Sequence, residues 1–341
     1  MRSQKTYHVL LILTGGTICS FANENGERVS DVEQAETLIV RHFRESNSPV
    51  CGEEAVCFAC RRPLNILSEN MTVAHWNALV EDLKSCDFSQ YDGVIVLHGT
   101  DTLAYTACLL ALLLAGTPIP VFFVSSQLPI YLPEANGNHN FRTAVELIAD
   151  GVEPDVYAVY RNDDGVTYLH RAAHLLPCAN HSENFYSADM TAVDGHQKTL
   201  GDIPCKERKM PLQSVGRLSD CVLRITPYVG IKYDRFSLSG VRAVLHGTYH
   251  SSTAEVEGLL TLKARCDGEE KPIPLFLEPC HKDAYAYETT GELLRSGIRP
   301  VWGMTSEMVY VKLLVGCAMG LDGDALECYL HTEINGEMIR Q

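Results

Sequence analysis

Short apolar runs recur along the chain, and several end in a turn of glycine and polar residues. Residues 9–13 and 94–97 are aliphatic throughout. A continuous run of this length is typical of a strand buried on both faces of a parallel sheet. Apolar positions at helical spacing follow in residues 32–43 and 102–115. Strands that alternate with helices in this way predict an α/β fold with a largely parallel sheet.

The alternation occurs twice, and 341 residues exceed one compact core. We therefore predict a larger N-terminal α/β domain at residues 1–195, a linker at 196–217 and a smaller C-terminal α/β domain at 218–341. The linker is placed where Gly, Pro, Lys and Gln occur without a period. The predicted strands of the second domain are 221–226, 241–245 and 274–277, and its predicted helices are 254–262, 289–296 and 305–317.

Three stretches between the predicted elements have no helical or strand period. Residues 19–31 are polar and rich in Asn and Glu, which predicts a mobile loop that can act as a lid. Asn136-Gly137 predicts a turn before a helix over residues 140–149, and residues 163–165 predict a hairpin turn.

Composition excludes some classes of partner. The net charge of −15 opposes binding to phosphate backbones, so we expect no nucleic-acid partner. We also expect no membrane partner, because no apolar run reaches the ~18 residues that a span needs. The thirteen cysteines are an odd number scattered through apolar segments, which favours reduced thiols and a cytoplasmic location.

Two of the predicted strand ends carry threonine beside glycine. Thr17 follows Gly16, and Thr100 and Asp101 follow Gly99. A threonine hydroxyl becomes a nucleophile when a base activates it, and Asp101 could orient such a proton relay. The amides of Gly15, Gly16 and Gly99 could donate to an oxyanion. A glycine turn with a helix N-cap explains the same residues without any catalysis.

In combination these motifs resemble the bacterial-type L-asparaginase family, with the cytoplasmic type I branch closest. The resemblance covers nearly the whole chain. The matching stretches are TGGTI (14–18), SENMT (68–72), HGTDT (98–102), SQLP (126–129), Asn136-Gly137 with Asn140, MTSE (304–307) and KL (312–313).

The resemblance implies a two-domain α/β fold and hydrolysis of L-asparagine to aspartate and ammonia without cofactor or metal. It also implies a small amino-acid substrate and a homodimer or homotetramer. Carried over by position, it makes Thr17 the nucleophile and Thr100-Asp101 the second half of the machinery. It assigns Ser68 and Glu69 to the substrate's α-carboxylate and α-amino group. The predicted substrate-binding set is Gly16, Ser68, Glu69, Gly99 and Ser126.

The chain departs from the family pattern in three places. It has no lysine between Lys84 and Lys198, where the family has a catalytic one, and His174 is the nearest counterpart. A histidine there either serves as a base near neutral pH or is a packed side chain without a role. The family has a tyrosine in the lid, whereas the candidate lid of this chain has none. Phe21 or Arg28 lies near the corresponding position. The third departure is Ser251-Ser252, where the family has Gly-Asn.

These losses leave a second hypothesis beside the enzyme, a catalytically impaired homologue that binds an amino acid as a sensor. A third hypothesis, an amidase subunit acting on charged tRNA, is disfavoured by the acidic charge. The spacing of His170, His174, Cys178 and His181 would suggest a metal site on a helix, but Pro177 interrupts such a helix. We predict no metal site.

Overall fold

The computed structural model describes residues 5–52, 54–114, 116–193, 211–281 and 287–339. It divides into two compact units, residues 1–213 and residues 214–341. Each unit is an α/β structure with its own sheet, which confirms the predicted fold class. Residues 196–210, most of the predicted linker, lie outside the described residues. In the described part of the chain no helix is both long and apolar enough to cross a membrane.

The first unit contains a seven-stranded sheet with the order β4-β1-β5-β6-β7-β8-β9 and a two-stranded sheet of β2 and β3. The first five strands of the larger sheet run parallel, while β8 pairs antiparallel with both β7 and β9. The strands are β1 (Tyr7–Leu13), β2 (Ser20–Ala22), β3 (Arg28–Ser30), β4 (Val56–Arg61), β5 (Gly93–Leu97), β6 (Val121–Val124), β7 (Val156–Arg161), β8 (Thr167–Arg171) and β9 (Met190–Ala192).

Four helices complete the first unit, and the burial of each follows its sequence. They are α1 (Val32–Arg44), α2 (Val73–Lys84), α3 (Leu103–Leu114) and α4 (Gly137–Ala149). Helix α3 is apolar on every side and almost entirely buried, as expected of a helix without a solvent face. Helices α1 and α4 contribute Ile39, Phe43 and Phe141 to one core with Leu11 and Leu97 of the central strands. This core fixes the strand ends that carry the candidate chemistry.

Several local predictions in this unit were wrong. The candidate lid is an antiparallel hairpin in which β2 pairs with β3, closed by a hydrogen bond from the Asn23 N–H to the Glu27 carbonyl. Three-residue strands are too short to show a period, so only their pairing reveals them. The edge strand β4 was also missed, and its parallel pairing with β1 is what identifies it as a strand. Helix α4 begins at Gly137, three residues earlier than predicted.

The second unit contains a four-stranded parallel sheet with the order β10-β11-β12-β13. Its core joins the strands to the inner faces of two helices, α5 and α6, through residues such as Val244, Leu259 and Leu293. Its elements are β10 (Val222–Ile225), β11 (Ala243–Gly247), α5 (Val256–Asp267), β12 (Leu275–Glu278), α6 (Glu288–Arg295), β13 (Arg299–Pro300), α7 (Ser306–Ala318) and α8 (Gly323–His331). The strand β13 and the helix α8 were not predicted.

A buried ion pair holds the end of the described chain against α7. The Lys312 ammonium is fully buried and donates to the Leu330 carbonyl at 3.1 Å, the Thr332 carbonyl at 2.6 Å and the Glu337 carboxylate at 2.5 Å. The Glu337 carboxylate also accepts the Asn335 N–H at 2.8 Å. Both charges are therefore compensated inside the protein, which is the condition for burying them.

This pair predicts a pH-dependent contribution to stability. Burial by itself raises the pKa of Glu337, but the Lys312 charge and the backbone N–H groups outweigh burial and lower that pKa below its ordinary value. Such a carboxylate stabilises the fold above its unfolded-state pKa and loses that contribution as the pH falls through its folded-state pKa. We expect Glu337→Gln to lower the free energy of unfolding by roughly 3 kcal/mol near neutral pH, and by less in acid.

Urea denaturation of both proteins at neutral and acidic pH measures this difference. The matched control is Glu81→Gln, which removes a mostly exposed carboxylate from its ion pair with Lys84. Exposed pairs contribute little, so this variant should unfold almost like the parent. A loss for Glu337→Gln that is equally small, or that does not shrink in acid, contradicts the prediction.

Candidate functional site

The two threonine-bearing strand ends meet through their glycines. Strands β1 and β5 are neighbours in register, with Leu13 beside Leu97. A Cβ added to Gly16 would lie 2.2 Å from the Gly99 Cα and 2.3 Å from the Gly99 nitrogen. The two backbones therefore touch, and only glycine fits there. Gly16 also has φ +82°, in the region that favours glycine.

A third segment joins this contact from the loop before α2. The Gly16 N–H donates to the Ile66 carbonyl at 2.7 Å, and the Ile66 N–H donates to the Thr14 carbonyl at 3.2 Å. The Gly16 amide is thus not free for an oxyanion, contrary to expectation. The Gly99 N–H has no hydrogen-bond partner in the described ranges and remains a candidate donor.

Ser68 bonds directly to the Gly99-Thr100-Asp101 turn. Its hydroxyl donates to the Asp101 carboxylate at 2.7 Å and accepts the Asp101 N–H at 3.3 Å. The Thr102 hydroxyl donates to the Ser68 carbonyl at 2.9 Å. Ser68 is buried, whereas Asp101 and the neighbouring Glu69 are exposed. Ser68 therefore fixes one oxygen of Asp101 and leaves its exposed side open to solvent.

The hydroxyls of Thr17 and Thr100 are the reactive groups left at this contact. Both residues are half-buried, and neither hydroxyl has a hydrogen-bond partner within the part of the chain that the structure describes. Thr17 begins the 3-10 turn Thr17–Cys19, and its carbonyl accepts the Ser20 hydroxyl at 3.0 Å. The backbone of Thr17 is thus held while its hydroxyl stays available for a substrate.

His98 is a buried histidine at this site to which the sequence assigned no role. Its Nδ1 lies 2.8 Å from the Gly99 carbonyl, and its ring lies edge-on to Phe123. Burial lowers the pKa of His98 to about 4, so the ring is neutral near neutral pH. A neutral ring with an Nδ1–H holds the Gly99 peptide in place. The position of His98 directly before Gly99 was the feature of the sequence that could have indicated this role.

Ser126 is placed inside a turn, where its hydroxyl has two backbone partners. It is fully buried, donates to the Leu128 carbonyl at 2.6 Å and accepts the Gly137 N–H at 3.0 Å. Asn136 ties the same turn to the end of β7 by donating to the Arg161 carbonyl at 2.8 Å. The hydroxyl of Ser126 thus shapes the β6–α4 connection at the edge where β1 and β5 also end.

His174 is not hydrogen-bonded to Thr100 or Asp101. It lies at the end of the 3-10 turn Ala172–His174, which packs against α3. The Cys108 thiol contacts the Ala172 carbonyl at 3.6 Å. Cys108 is seven residues beyond Asp101, about 10 Å along a helix. The turn that carries His174 therefore packs against the middle of α3, away from the N-terminal end of that helix, which follows Thr100 and Asp101.

The partner of His174 is Asp189, which the sequence analysis did not single out. His174 Nδ1 lies 2.8 Å from an Asp189 oxygen, while Nε2 is buried without a partner among the described residues. The other Asp189 oxygen lies 3.6 Å from the Arg171 guanidinium, which also faces Asp155 at 3.3 Å. Asp189 is 15 residues from His174, so no local pattern could reveal this contact.

The candidate lid lies next to Thr17 and holds an aromatic contact. The Phe21 ring on β2 stacks on the Tyr131 ring from the β6–α4 connection, with centroids 5.6 Å apart. Arg28 is on β3, where it pairs with Ala22 of β2. Tyr131 is partly exposed and places a phenol beside the hairpin that has none of its own. Phe21 and Tyr131 are far apart in the sequence, so no local pattern could predict that their rings stack.

The residues considered for a metal site take other partners. His170 Nδ1 lies 3.0 Å from the Ser187 hydroxyl, and the Cys178 thiol contacts the Ser182 carbonyl at 2.9 Å. His170 is on the strand β8, so the four residues do not share a helix face. Within the described ranges, no three His, Cys, Asp or Glu side chains are grouped to hold a metal ion.

Comparison with known proteins identifies relatives along the chain. Residues 8–203 match the family model described as asparaginase, N-terminal. The L-asparaginase of Thermococcus kodakarensis is 25% identical over 334 residues, which cover 97% of this chain and 98% of that protein. One subunit of the glutamyl-tRNA(Gln) amidotransferase of Methanosphaera stadtmanae is 25% identical over 362 residues, covering 98% of this chain and 78% of that protein.

Solved structures show the same fold. The thermostable L-asparaginase from Thermococcus kodakarensis matches with a TM-score of 0.74 at 21% identity, covering 98% of this chain and all of that one. L-asparaginase I from Vibrio cholerae O1 matches with a TM-score of 0.75 at 20% identity and the same coverage. Because the family model spans more than half of the sequence, the chain belongs to the asparaginase family of amidohydrolases.

Proposed function

We propose that this protein hydrolyses the side-chain amide of L-asparagine with Thr17 as the nucleophile. The observation that carries the proposal is the contact between Gly16 and Gly99, which places the Thr17 and Thr100-Asp101 turns side by side. The free hydroxyls of both threonines and the carboxylate of Asp101, held by Ser68, supply a nucleophile and proton acceptors. Membership of the asparaginase family supports the reaction class.

In the first step the Thr17 oxygen bonds to the carboxamide carbon, and the hydroxyl proton passes to the Thr100-Asp101 side. The bond between carbon and nitrogen then breaks, and the nitrogen leaves with that proton as ammonia. Water hydrolyses the Thr17 ester, which releases aspartate and restores the hydroxyl. The N–H of Gly99 is a donor for the oxyanion. No cofactor or metal takes part in these steps.

Ammonia release from L-asparagine, measured with a coupled assay on the purified protein, tests the proposal. We expect release from L-asparagine to exceed release from L-glutamine and from the D-isomers. Absence of release above background from all of them overturns the proposal.

The similarity to a subunit of a tRNA-dependent amidotransferase makes charged tRNA a second substrate to test. The net charge of −15 argues against RNA binding. Hydrolysis of free asparagine at the same rate with and without tRNA supports the proposal, whereas release that requires tRNA contradicts it. A cytoplasmic location and a homodimer or homotetramer belong to the same proposal, and light scattering on the purified protein measures the second.

A non-catalytic amino-acid sensor is the second candidate function. It is favoured by one observation, the bond of His174 to Asp189 in place of a bond to Thr100 or Asp101. A sensor would bind asparagine or aspartate with a rise in melting temperature and without ammonia release. Turnover in the same sample excludes the sensor.

The position of His174 offers a direct test of what limits the reaction. We expect His174→Lys to raise the rate of ammonia release by roughly tenfold. The lysine side chain is longer than that of histidine and brings a protonated amine nearer to Asp101. Asp189 remains to offset the added charge. His174→Gln is the matched control, since it changes the side chain without supplying a cation. Equal rates for the two variants contradict this prediction.

A further inference from the structure

The candidate lid, the hairpin of β2 and β3, is too small to be stable by itself. Each strand has three residues, and a two-stranded sheet is at best marginally stable in water. Two contacts hold the base of the hairpin. The Asp31 N–H donates to the Cys19 carbonyl at 2.8 Å, and a Cβ added to Gly15 would lie 2.8 Å from the Ser30 hydroxyl oxygen. The strands beyond this base therefore depend on contacts with the rest of the first unit.

Phe21 of β2 is covered by residues outside the hairpin. It is 8% exposed and belongs to the core that includes Ile18 and Cys19. Val29 lies opposite Phe21 in the pairing of β2 with β3, and it is 42% exposed. Residues directly opposite each other in an antiparallel pair have their side chains on the same face. The cover over Phe21 therefore comes mainly from other segments of the chain.

Tyr131 supplies part of this cover from a turn in the β6–α4 connection. Its ring is stacked on the Phe21 ring, with an angle of 23° between the planes and the centroids 5.6 Å apart. The Leu132 N–H donates to the Pro129 carbonyl at 3.0 Å, which closes the turn around Ile130 and Tyr131. A stacked aromatic pair is a stabilising contact beyond the area that it buries. The stack therefore joins the hairpin to this turn.

The turn that carries Tyr131 is itself held by two helices. The Asn138 amide of α4 donates to the Ile130 carbonyl at 2.9 Å, and the Asn138 oxygen lies 3.0 Å from His42 Nδ1 of α1. Ile130 is fully buried in the same core as Phe21. Tyr131, in contrast, is 41% exposed, so its side chain can be changed without opening this core. The backbone is therefore fixed by its neighbours while the Tyr131 ring contacts the hairpin.

We propose that Tyr131 is a positioning residue that holds the hairpin of β2 and β3 beside Thr17 before any substrate binds. The hairpin continues directly from the 3-10 turn Thr17–Cys19. It is then a fixed wall of the site, in place of the mobile lid that the sequence predicted. Its effect on the reaction rests on the proposed function at Thr17. A wall that is already ordered does not have to be ordered by the substrate, so the apparent affinity for the substrate is higher.

Hydrogen exchange of the full-length protein tests whether Tyr131 holds the hairpin. We expect the amides of β2 and β3 to exchange slowly in the parent protein and roughly two- to tenfold faster in Tyr131→Ala, the size expected for one aromatic pair. Tyr131→Phe keeps the ring and should exchange like the parent. Tyr186→Ala is the matched control, because it removes another exposed tyrosine of the same unit, 48% exposed, and should leave the exchange of the hairpin unchanged.

The kinetics of ammonia release separate a positioning role from a part in the chemistry. We expect Tyr131→Ala to raise the KM for L-asparagine by about twofold or more and to keep kcat within about twofold, because the bound substrate orders the hairpin again. Tyr131→Phe and Tyr186→Ala should have the KM and kcat of the parent. An unchanged KM in Tyr131→Ala, or a loss of kcat that Tyr131→Phe shares, overturns the positioning role.

Fast exchange of β2 and β3 in the parent protein, or equal exchange in the parent and in Tyr131→Ala, also overturns the proposal. Hydrogen exchange needs no turnover, so it tests the hairpin even if L-asparagine is not a substrate. Failure of the proposed function and failure of this inference are therefore distinguishable. If Tyr131→Ala does not fold, Tyr131→Leu takes its place, since it removes the ring and keeps an apolar side chain.

Discussion

Replacement of Thr17 by valine should lower the rate of ammonia release from L-asparagine by roughly 10⁴-fold or more, the scale of losing a nucleophile. Valine has nearly the shape of threonine, so the half-buried position is filled and the fold is kept. What is lost is the hydroxyl that lies beside the Gly16–Gly99 contact. Initial rates at saturating asparagine, with circular dichroism to confirm folding, measure the effect.

Two further variants make this result specific to Thr17. Thr17→Ser keeps a hydroxyl and should retain a measurable fraction of the rate. Thr14→Val makes the same threonine-to-valine change three residues earlier, where the hydroxyl donates to the Leu97 carbonyl at 2.9 Å. That carbonyl also accepts the Thr14 N–H, so this variant should stay within a few-fold of the parent. Full activity of Thr17→Val would refute the assignment of the nucleophile.

Replacement of Gly16 by alanine should remove activity and destabilise the protein together. An alanine Cβ would lie 2.2 Å from the Gly99 Cα, a backbone atom that cannot move aside without shifting β5. With φ 82° and ψ −174°, Gly16 also has a backbone conformation that is essentially restricted to glycine, which adds a cost of roughly 1–3 kcal/mol for any L side chain. With overpacking included, we expect the free energy of unfolding to fall by roughly 3 kcal/mol or more.

Gly26 is a control for a positive φ without the steric clash. Its φ is +78°, close to the +82° of Gly16, but an added Cβ meets nothing within 4 Å. Gly26→Ala should therefore cost about 1 kcal/mol and leave the rate of ammonia release nearly unchanged. Urea denaturation and the ammonia assay on both variants measure the comparison. Equal effects of the two alanines would mean that the Gly16–Gly99 contact is not what positions the site.

The sequence by itself determined the elements whose hydrophobic pattern is continuous. The ends of the strands β1 and β5 and of the apolar helix α3 were predicted within one or two residues, because these buried elements consist of consecutive apolar side chains. The positions of Thr17, Thr100 and Asp101 at strand ends follow from the same pattern. The motifs at those ends also indicated the family, which the family model confirms.

Only the tertiary structure decided which polar groups meet. Three contacts at or near the site join residues that are 15 or more positions apart. They are the hydrogen bond of Ser68 to Asp101, the hydrogen bond of His174 to Asp189 and the stacking of Phe21 on Tyr131. Hydrogen bonds and ring contacts carry no period along the chain. A local pattern therefore reports whether a residue is buried, whereas its partner depends on how the strands and helices pack.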